Sequence, residues 1–262
     1  MELTPKNIIY EKKEEIATIT INRPQVLNAL NRETLHEMKK ALEDAQKDNN
    51  IKVVIITGSG SRAFCAGADV SELKRMGPAE VSDLVKLGQE TFTLIEDLDK
   101  PVIAAVNGVA FGGGFELSMA CDLIIAAGNA RFGQPEVNLG IMPGWGGTQK
   151  LTRLIGIKKA KEIMMLGNMI SADEALNMLI VNKVVPAEKL MDEAVALAKE
   201  IAGKSPIALK FAKKAINAAM ETALSQGINY ERTLYMWLFS TEDAQEGISA
   251  FLEKRKPIWK GK

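Results

Sequence analysis

Two short runs set the terms for any fold of this chain: residues 53–57, VVIIT, and residues 101–106, PVIAAV, are apolar almost throughout. A strand that meets water on one side alternates apolar with polar residues, so runs without alternation must be covered on both faces. Val- and Ile-rich runs over residues 16–21 and 123–126, bounded by turn residues, add two further strands. Helical periodicity fills the intervals, and the expectation is an α/β fold with a buried sheet. From about Gly146 the pattern changes to helix after helix, interrupted only at residues 183–185, and Ser171-Ala172-Asp173-Glu174 has the form of a capping box. This helical extension can pack on its own core or on another subunit, and the pattern leaves both open.

Composition removes several chemistries. Lys plus Arg (33) equals Asp plus Glu (33), so there is no net positive field for nucleic acid or an anionic membrane. Cys65 and Cys121 are too few for a disulfide framework or a four-thiolate site, and the N-terminus lacks the pattern of a signal peptide. A reducing cytoplasm is the expected compartment. The longest charge-free apolar stretch, between Lys100 and Glu116, carries Asn107 and several glycines and does not read as a membrane span. The only histidine, His36, lies in NRETLHEMKKALEDAQ, an amphipathic helix, so serine-histidine sites and histidine-based zinc sites are not expected. Acid-base work falls to carboxylates, Lys or Tyr, and no metal site is expected.

One motif misleads. Residues 53–57 followed by Gly58-Ser59-Gly60-Ser61-Arg62-Ala63 imitate the strand and GxGxxA of a dinucleotide site. A helix should open there, yet the chain continues Phe64-Cys65-Ala66-Gly67-Ala68-Asp69, small residues suited to a tight loop. A turn after a strand is expected, not a nicotinamide or flavin site.

Chemistry concentrates in two glycine-rich segments. In residues 101–122 a strand enters, Gly112-Gly113-Gly114 turns, and a helix leaves. Glycines let a ligand approach the main chain, and unpaired amides at a helix N-terminus point toward an oxygen gaining negative charge. Glu116 in the first helical turn has a plainer explanation too, since a carboxylate there favours the helix dipole. Residues 130–148 form the second segment, with Glu136 among apolar neighbours that would raise its pKa. The loop Ala66-Gly67-Ala68-Asp69 can supply another amide. Two carboxylates with paired amides suit a thioester: the polarised carbonyl becomes an enolate when a proton leaves the adjacent carbon.

RPQVLNAL, AFCAGADV, PVIAAVNGVAFGGGFELSMACDL, ARFGQPEVNLGIMPGWGGTQKLTRLIG and FLEKRKP, in this order over nearly the whole chain, resemble the enoyl-CoA hydratase (crotonase) family. The resemblance implies a crotonase (ClpP-like) spiral of repeated ββα units over residues 1–200. A helical trimerisation region over 201–262 would follow, with trimers commonly paired into hexamers. It implies an oxyanion hole from the amides of Ala68 and Gly113, with Glu116 activating water and Glu136 exchanging a proton with C2. Ala66, Gly67 and Asp69 would line coenzyme A, and Gly144 would contribute a main-chain contact near the water. The implied reaction is reversible syn hydration of a short-chain trans-2-enoyl-CoA to a 3-hydroxyacyl-CoA. No metal or redox cofactor is implied, coenzyme A being part of the substrate.

Phe251 and Lys254 in FLEKRKP are further candidates for coenzyme A contact, on the same or an adjacent subunit. Two readings compete with hydration: double-bond isomerisation on the same scaffold, and a non-catalytic acyl-CoA or RNA-binding module. The lysines at 158, 159 and 161 and at 210, 213 and 214 read instead as solvated helix faces. The sequence departs from the family pattern at Gln25, where a basic residue is common, and at Trp145, where a small one is common. Trp145, with Phe115 nearby in the motif, is expected to shorten the acyl pocket. Trp145→Ala should therefore raise rates on eight- and ten-carbon enoyl-CoAs relative to crotonyl-CoA, measured as kcat/KM across a chain-length series.

Overall fold

The computed structural model describes residues 5–262. The chain opens with β1 (Ile8–Lys13), β2 (Ile16–Ile21) and α1 (Arg32–Lys47). Three strand-strand-helix passes follow. The first is β3 (Val53–Gly58), β4 (Ala63–Cys65), α2 (Val70–Leu73) and α3 (Pro78–Asp97), and the second is β5 (Val102–Val106), β6 (Val109–Phe111) and α4 (Gly113–Ala120). The third comprises β7 (Leu123–Ala127), β8 (Arg131–Gly133), a 3-10 turn at Pro135–Leu139, α5 (Gly147–Ile155) and α6 (Ile157–Leu166). The remainder is β9 (Met169–Ser171), α7 (Ala172–Asn177), β10 (Lys183–Val185), α8 (Leu190–Ala202), α9 (Pro206–Ala218), α10 (Leu224–Phe239) and α11 (Glu242–Leu252).

The first strand of each pass joins a six-stranded sheet of order β1-β2-β3-β5-β7-β10, and the second joins a four-stranded sheet of order β4-β6-β8-β9. Successive passes stack parallel in both sheets, with antiparallel pairs only at β1-β2 and β8-β9. This repeated climb is the ββα spiral that the resemblance implied.

The missing alternation in the central strands has a direct cause. Val53 and Ile55 pack with Ile103 and Ala105 against Leu190, Ala194 and Ala198 of α8. Val54 and Ile56, pointing the other way, join Leu35 and Met38 of α1 and Phe92 and Ile95 of α3. A period of two sorts the side chains, and helices cover both faces. The four strands expected from the sequence are present, as is β10 at the interruption noted over residues 183–185, but β1, β4, β6, β8 and β9 are additional. All but β1 span three residues, too few for periodicity to mark. The capping box forms: Ser171 Oγ accepts from the Glu174 amide at 3.2 Å, and Glu174 Oε2 accepts from the Ser171 amide at 2.7 Å. His36 is exposed on α1, an ordinary surface residue. Among the described residues, no helix is long and apolar enough to cross a membrane.

The C-terminal helices lie outside this core. Lys213 is the one buried residue of α9, where its Nζ donates to the Ile95 carbonyl at 2.9 Å and to Asp122 Oδ2 at 2.8 Å. Asp243 of α11 is buried and anchors the chain terminus: Oδ1 accepts from the amides of Lys260 at 2.7 Å and Gly261 at 3.1 Å. Its Oδ2 accepts from Ser205 Oγ at 2.8 Å, while Trp259 Nε1 donates to the Gly203 carbonyl at 2.8 Å. Deleting residues 257–262 strips two donors from a buried carboxylate, at a cost of about 2 kcal/mol. The thermal midpoint should fall by roughly 4–8 °C, read by calorimetry.

Candidate active site

The loop that imitates a dinucleotide site is closed on itself. Asn28 Nδ2 donates to the carbonyls of Ser59 (3.0 Å) and Ala63 (2.7 Å), and Asn107 Nδ2 donates to those of Gly58 (2.9 Å) and Gly60 (2.7 Å). A Cβ at Gly58 would lie 2.4 Å from the Ala63 oxygen, so glycine is needed for this closure and not for a phosphate. The chain then enters β4 and opens no helix.

Beyond β4, residues 66–69 lie against the start of α4. Gly67, at φ +101°, has space for a Cβ only 3.0 Å from the Phe111 oxygen and 3.3 Å from the Gly113 amide nitrogen. A Cβ at Gly113 would stand 3.5 Å from the Ala68 nitrogen, so the two amides converge. Gly113 is the first residue of α4, where the helix leaves its amides without internal partners. The Ala68 amide has no hydrogen-bond partner among the described residues. The two amides thus lie close together at the start of α4.

Glu116 sits one turn into α4 at 1% exposure. Its Oε1 accepts from the amides of Trp145 at 2.8 Å and Gly147 at 2.7 Å. Burial pushes its carboxyl up from the ordinary range, opposed by those two amides. Glu136, half-buried in the 3-10 turn, is pushed up to about 7 by burial, with the charge of Glu116 acting in the same direction. Gly112, at φ +49°, gives Glu136 its place, since a Cβ there would lie 2.9 Å from Oε1. Gln134, fully buried, was not singled out as a site residue from the sequence. With its amide nitrogen facing the carboxylate, it donates to Glu136 Oε1 at 2.8 Å and Oε2 at 3.1 Å. No pattern marks a polar loop residue, and only the fold shows its partner.

The remaining candidates divide. The Gly144 carbonyl accepts from Gln89 Nε2 at 2.8 Å, and Ala66 donates its amide to the Leu27 carbonyl at 3.0 Å, which fixes both loops. The Asp69 carboxylate is turned to Arg23 Nη2 at 2.9 Å and to the Ser71 amide and hydroxyl. The carboxylate therefore holds its loop. Trp145 is buried at 5% exposure, edge-on to Phe92 at 5.6 Å between ring centroids. Its ring lies against Gly113, where a Cβ would come within 2.3 Å of Cζ3. Phe115, expected with Trp145 to shorten the acyl pocket, is buried in the core, 5.4 Å from the Phe132 ring. Phe251, 82% exposed, lies at the end of α11, and the exposed Lys254 follows it just beyond, at φ +55°. The Cys65 thiol, pushed up to about 12 by burial, is unreactive beside the site. Among the described residues no group of three or more His, Cys, Asp or Glu side chains could hold a metal ion.

Residues 11–262 match the family described as enoyl-CoA hydratase/isomerase. The chain is 48% identical to the short-chain-enoyl-CoA hydratase of Clostridium acetobutylicum over 98% of its length and 97% of the relative. It is 47% identical to the crotonyl-CoA hydratase of Syntrophomonas wolfei, over 96% of each. A crystal structure of enoyl-CoA hydratase from Bacillus anthracis superposes with a TM-score of 0.95 at 42% identity, covering 98% of this chain and 100% of that one.

The raised pKa of Glu136 has a consequence for stability. Its folded value of about 7 exceeds the free value of 4.5, so the folded chain holds this proton more tightly than the unfolded chain. The contribution is stabilising at low pH and is lost as pH rises through about 7. Glu136→Gln should melt at a higher temperature than the wild type at pH 8, and the difference should shrink toward pH 5.

Proposed function

The chain belongs to the enoyl-CoA hydratase/isomerase family, and from that premise we propose that it adds water reversibly to short-chain trans-2-enoyl-CoA thioesters. One observation supports the reading: two carboxylates in different environments, Glu116 held by two amides and Glu136 against Gly112, lie close to the start of α4, where we place the thioester oxygen. The thioester oxygen is received by the amides of Ala68 and Gly113, each such donor being worth roughly 3 to 4 kcal/mol when charge develops. Glu116, its orientation held by two amides, takes a proton from water as the hydroxyl adds to C3. The electron pair of the C2–C3 double bond moves toward the carbonyl, giving an enolate whose oxygen rests on the amide pair. Glu136 then donates its proton to C2. A carboxyl with a pKa near 7 is matched to that role at neutral pH, protonated often enough to donate and acidic enough to give the proton up. The reverse sequence removes water, and Glu136 is then the base.

Trp145 supports a three- or four-carbon acyl group, because its ring occupies the space beside Gly113. Coenzyme A enters as part of the substrate, and neither a redox cofactor nor a metal has a step to perform. Residues 201–262 are proposed as an oligomerisation region, giving a homotrimer or a pair of trimers, on top of a core over 1–200. The supporting observation is that α10 has no buried residue and exposes Tyr235, Met236, Trp237 and Phe239, a patch of the kind that subunits cover. Phe251 and Lys254 then have a subunit neighbour to serve. A cytoplasmic location and the absence of a nucleic-acid partner complete the proposal, consistent with balanced charge.

Adding the protein to crotonyl-CoA should lower the absorbance of the conjugated thioester to an equilibrium level and give a product heavier by one water. Glu136→Gln and Glu116→Gln should each lower kcat by about 10²–10⁴-fold while coenzyme A binding persists. A product of unchanged mass with a shifted double bond would overturn hydration in favour of isomerisation.

A further inference from the structure

Glu116 depends on two amides that belong to an irregular loop, residues 144–147, which contains three glycines and includes Gly146 at φ +109°. Such a loop has little stiffness of its own, so its position must be imposed from outside. The imposing element is α3. Gly88, Gln89, Phe92 and Glu96 recur at spacings of three and four and so share one face of that helix. Gly88 vacates the space taken by Trp145, since a Cβ would lie 2.2 Å from Nε1, and Phe92 meets the same ring edge-on. Gln89 grips the Gly144 carbonyl at 2.8 Å. Glu96 forms an ion pair with Lys150, the fourth residue of α5.

Lys150 is held at both ends. Its amide donates to the Gly146 carbonyl at 2.9 Å, and its stem crosses the face of Gly146, where a Cβ would come within 2.9 Å of Cε. Its ammonium is tied to Glu96, with side-chain exposures of only 20% and 34%. The end of α3 is itself fixed by α9: Lys213 Nζ donates to the Ile95 carbonyl at 2.9 Å, and Asn217 Nδ2 to the Glu96 carbonyl at 3.1 Å. The stem of Lys150 thus fills the space over Gly146, the residue between the two amide donors of Glu116.

We propose that Lys150, locked by Glu96, is a positioning residue that holds the Trp145 and Gly147 amides on the Glu116 carboxylate. It acts on Glu116 by way of the loop, and its charge also favours the ionised carboxylate directly. The proposal rests on the hydration reading, in which Glu116 must present a fixed oxygen to water. A displacement of about 1 Å is enough to slow such a step, because the reacting atoms must be aligned when the barrier is crossed.

Lys150→Met keeps the stem and removes the ammonium, Lys150→Arg keeps the charge, and Glu96→Gln removes the partner. With crotonyl-CoA, Lys150→Met should lower kcat about tenfold or more with KM within about twofold, and Lys150→Arg should recover most of the loss. Glu96→Gln should fall in the same direction, and the double variant Lys150→Met with Glu96→Gln should be no worse than Lys150→Met alone, because both substitutions break one contact. Wild-type kcat in Lys150→Met would overturn the proposal, as would an arginine variant as poor as the methionine variant or a loss confined to KM. If Lys150→Met fails to fold, Glu96→Gln and Lys150→Arg decide by the same criteria. Failure of the hydration reading would instead be visible in the wild-type chain, as product without added water.

Discussion

The burial of the Glu116 carboxylate is the constraint around which the site is organised. An ionised group removed from water is costly unless it is hydrogen-bonded, and here both donors come from main-chain amides of a loop nearly thirty residues further along the chain. The fold must therefore bring that loop to α4 and keep it there. Gly147 is required for the approach, since a Cβ would lie 2.9 Å from Glu116 Oε1. A main-chain donor also survives most substitutions of the residue that carries it. The chemistry is thus tied to backbone geometry more than to side-chain identity.

The spiral supplies that geometry by repetition. Each pass sends one strand to the large sheet and the next to the small sheet, so the turns following β4, β6 and β8 arrive on one side of the molecule. Those turns carry Ala68, Gly113 and Glu136 in succession. Close contact between them requires residues without side chains: Gly67 beside Gly113, Gly112 beside Glu136, and Gly114, where a Cβ would overlap the Cys65 carbonyl at 1.9 Å. Glycine in the first turn of a helix is unfavourable on propensity alone, and at α4 packing overrides that preference.

Four long strands of the large sheet were legible because each carries its own evidence, whereas the edge strand β1, IIYEKK, buries only Ile8 and was missed. Residues 53–57 and 101–106 announce burial on both faces within five or six positions, and the two core clusters on either side of the sheet are the cause. The small sheet was not legible, because Ala63–Cys65, Val109–Phe111 and Arg131–Gly133 are strands only by virtue of their neighbours. Glu116 and Glu136 were marked by glycine-rich surroundings. Gln134, Gln89 and Lys150 were not, since each acts on a partner remote in sequence. Phe115, marked by closeness to a site residue in the motif, packs against Phe132, a contact between passes that the motif does not encode.

Local patterning by itself determined the α/β class, the misleading glycine run, the two carboxylates and the glycines that let a ligand near the main chain. All of these are properties of contiguous residues, written as period, turn chemistry and helix-end composition. The tertiary structure decided which amides meet which carboxylate, why Asp69 serves its loop, where Trp145 puts its ring, and how α3 steadies residues 144–147. Those are contacts between segments separated by tens of residues. Their energies depend on distances of a few ångströms that no local pattern encodes, and they come into being only when the passes of the spiral are stacked.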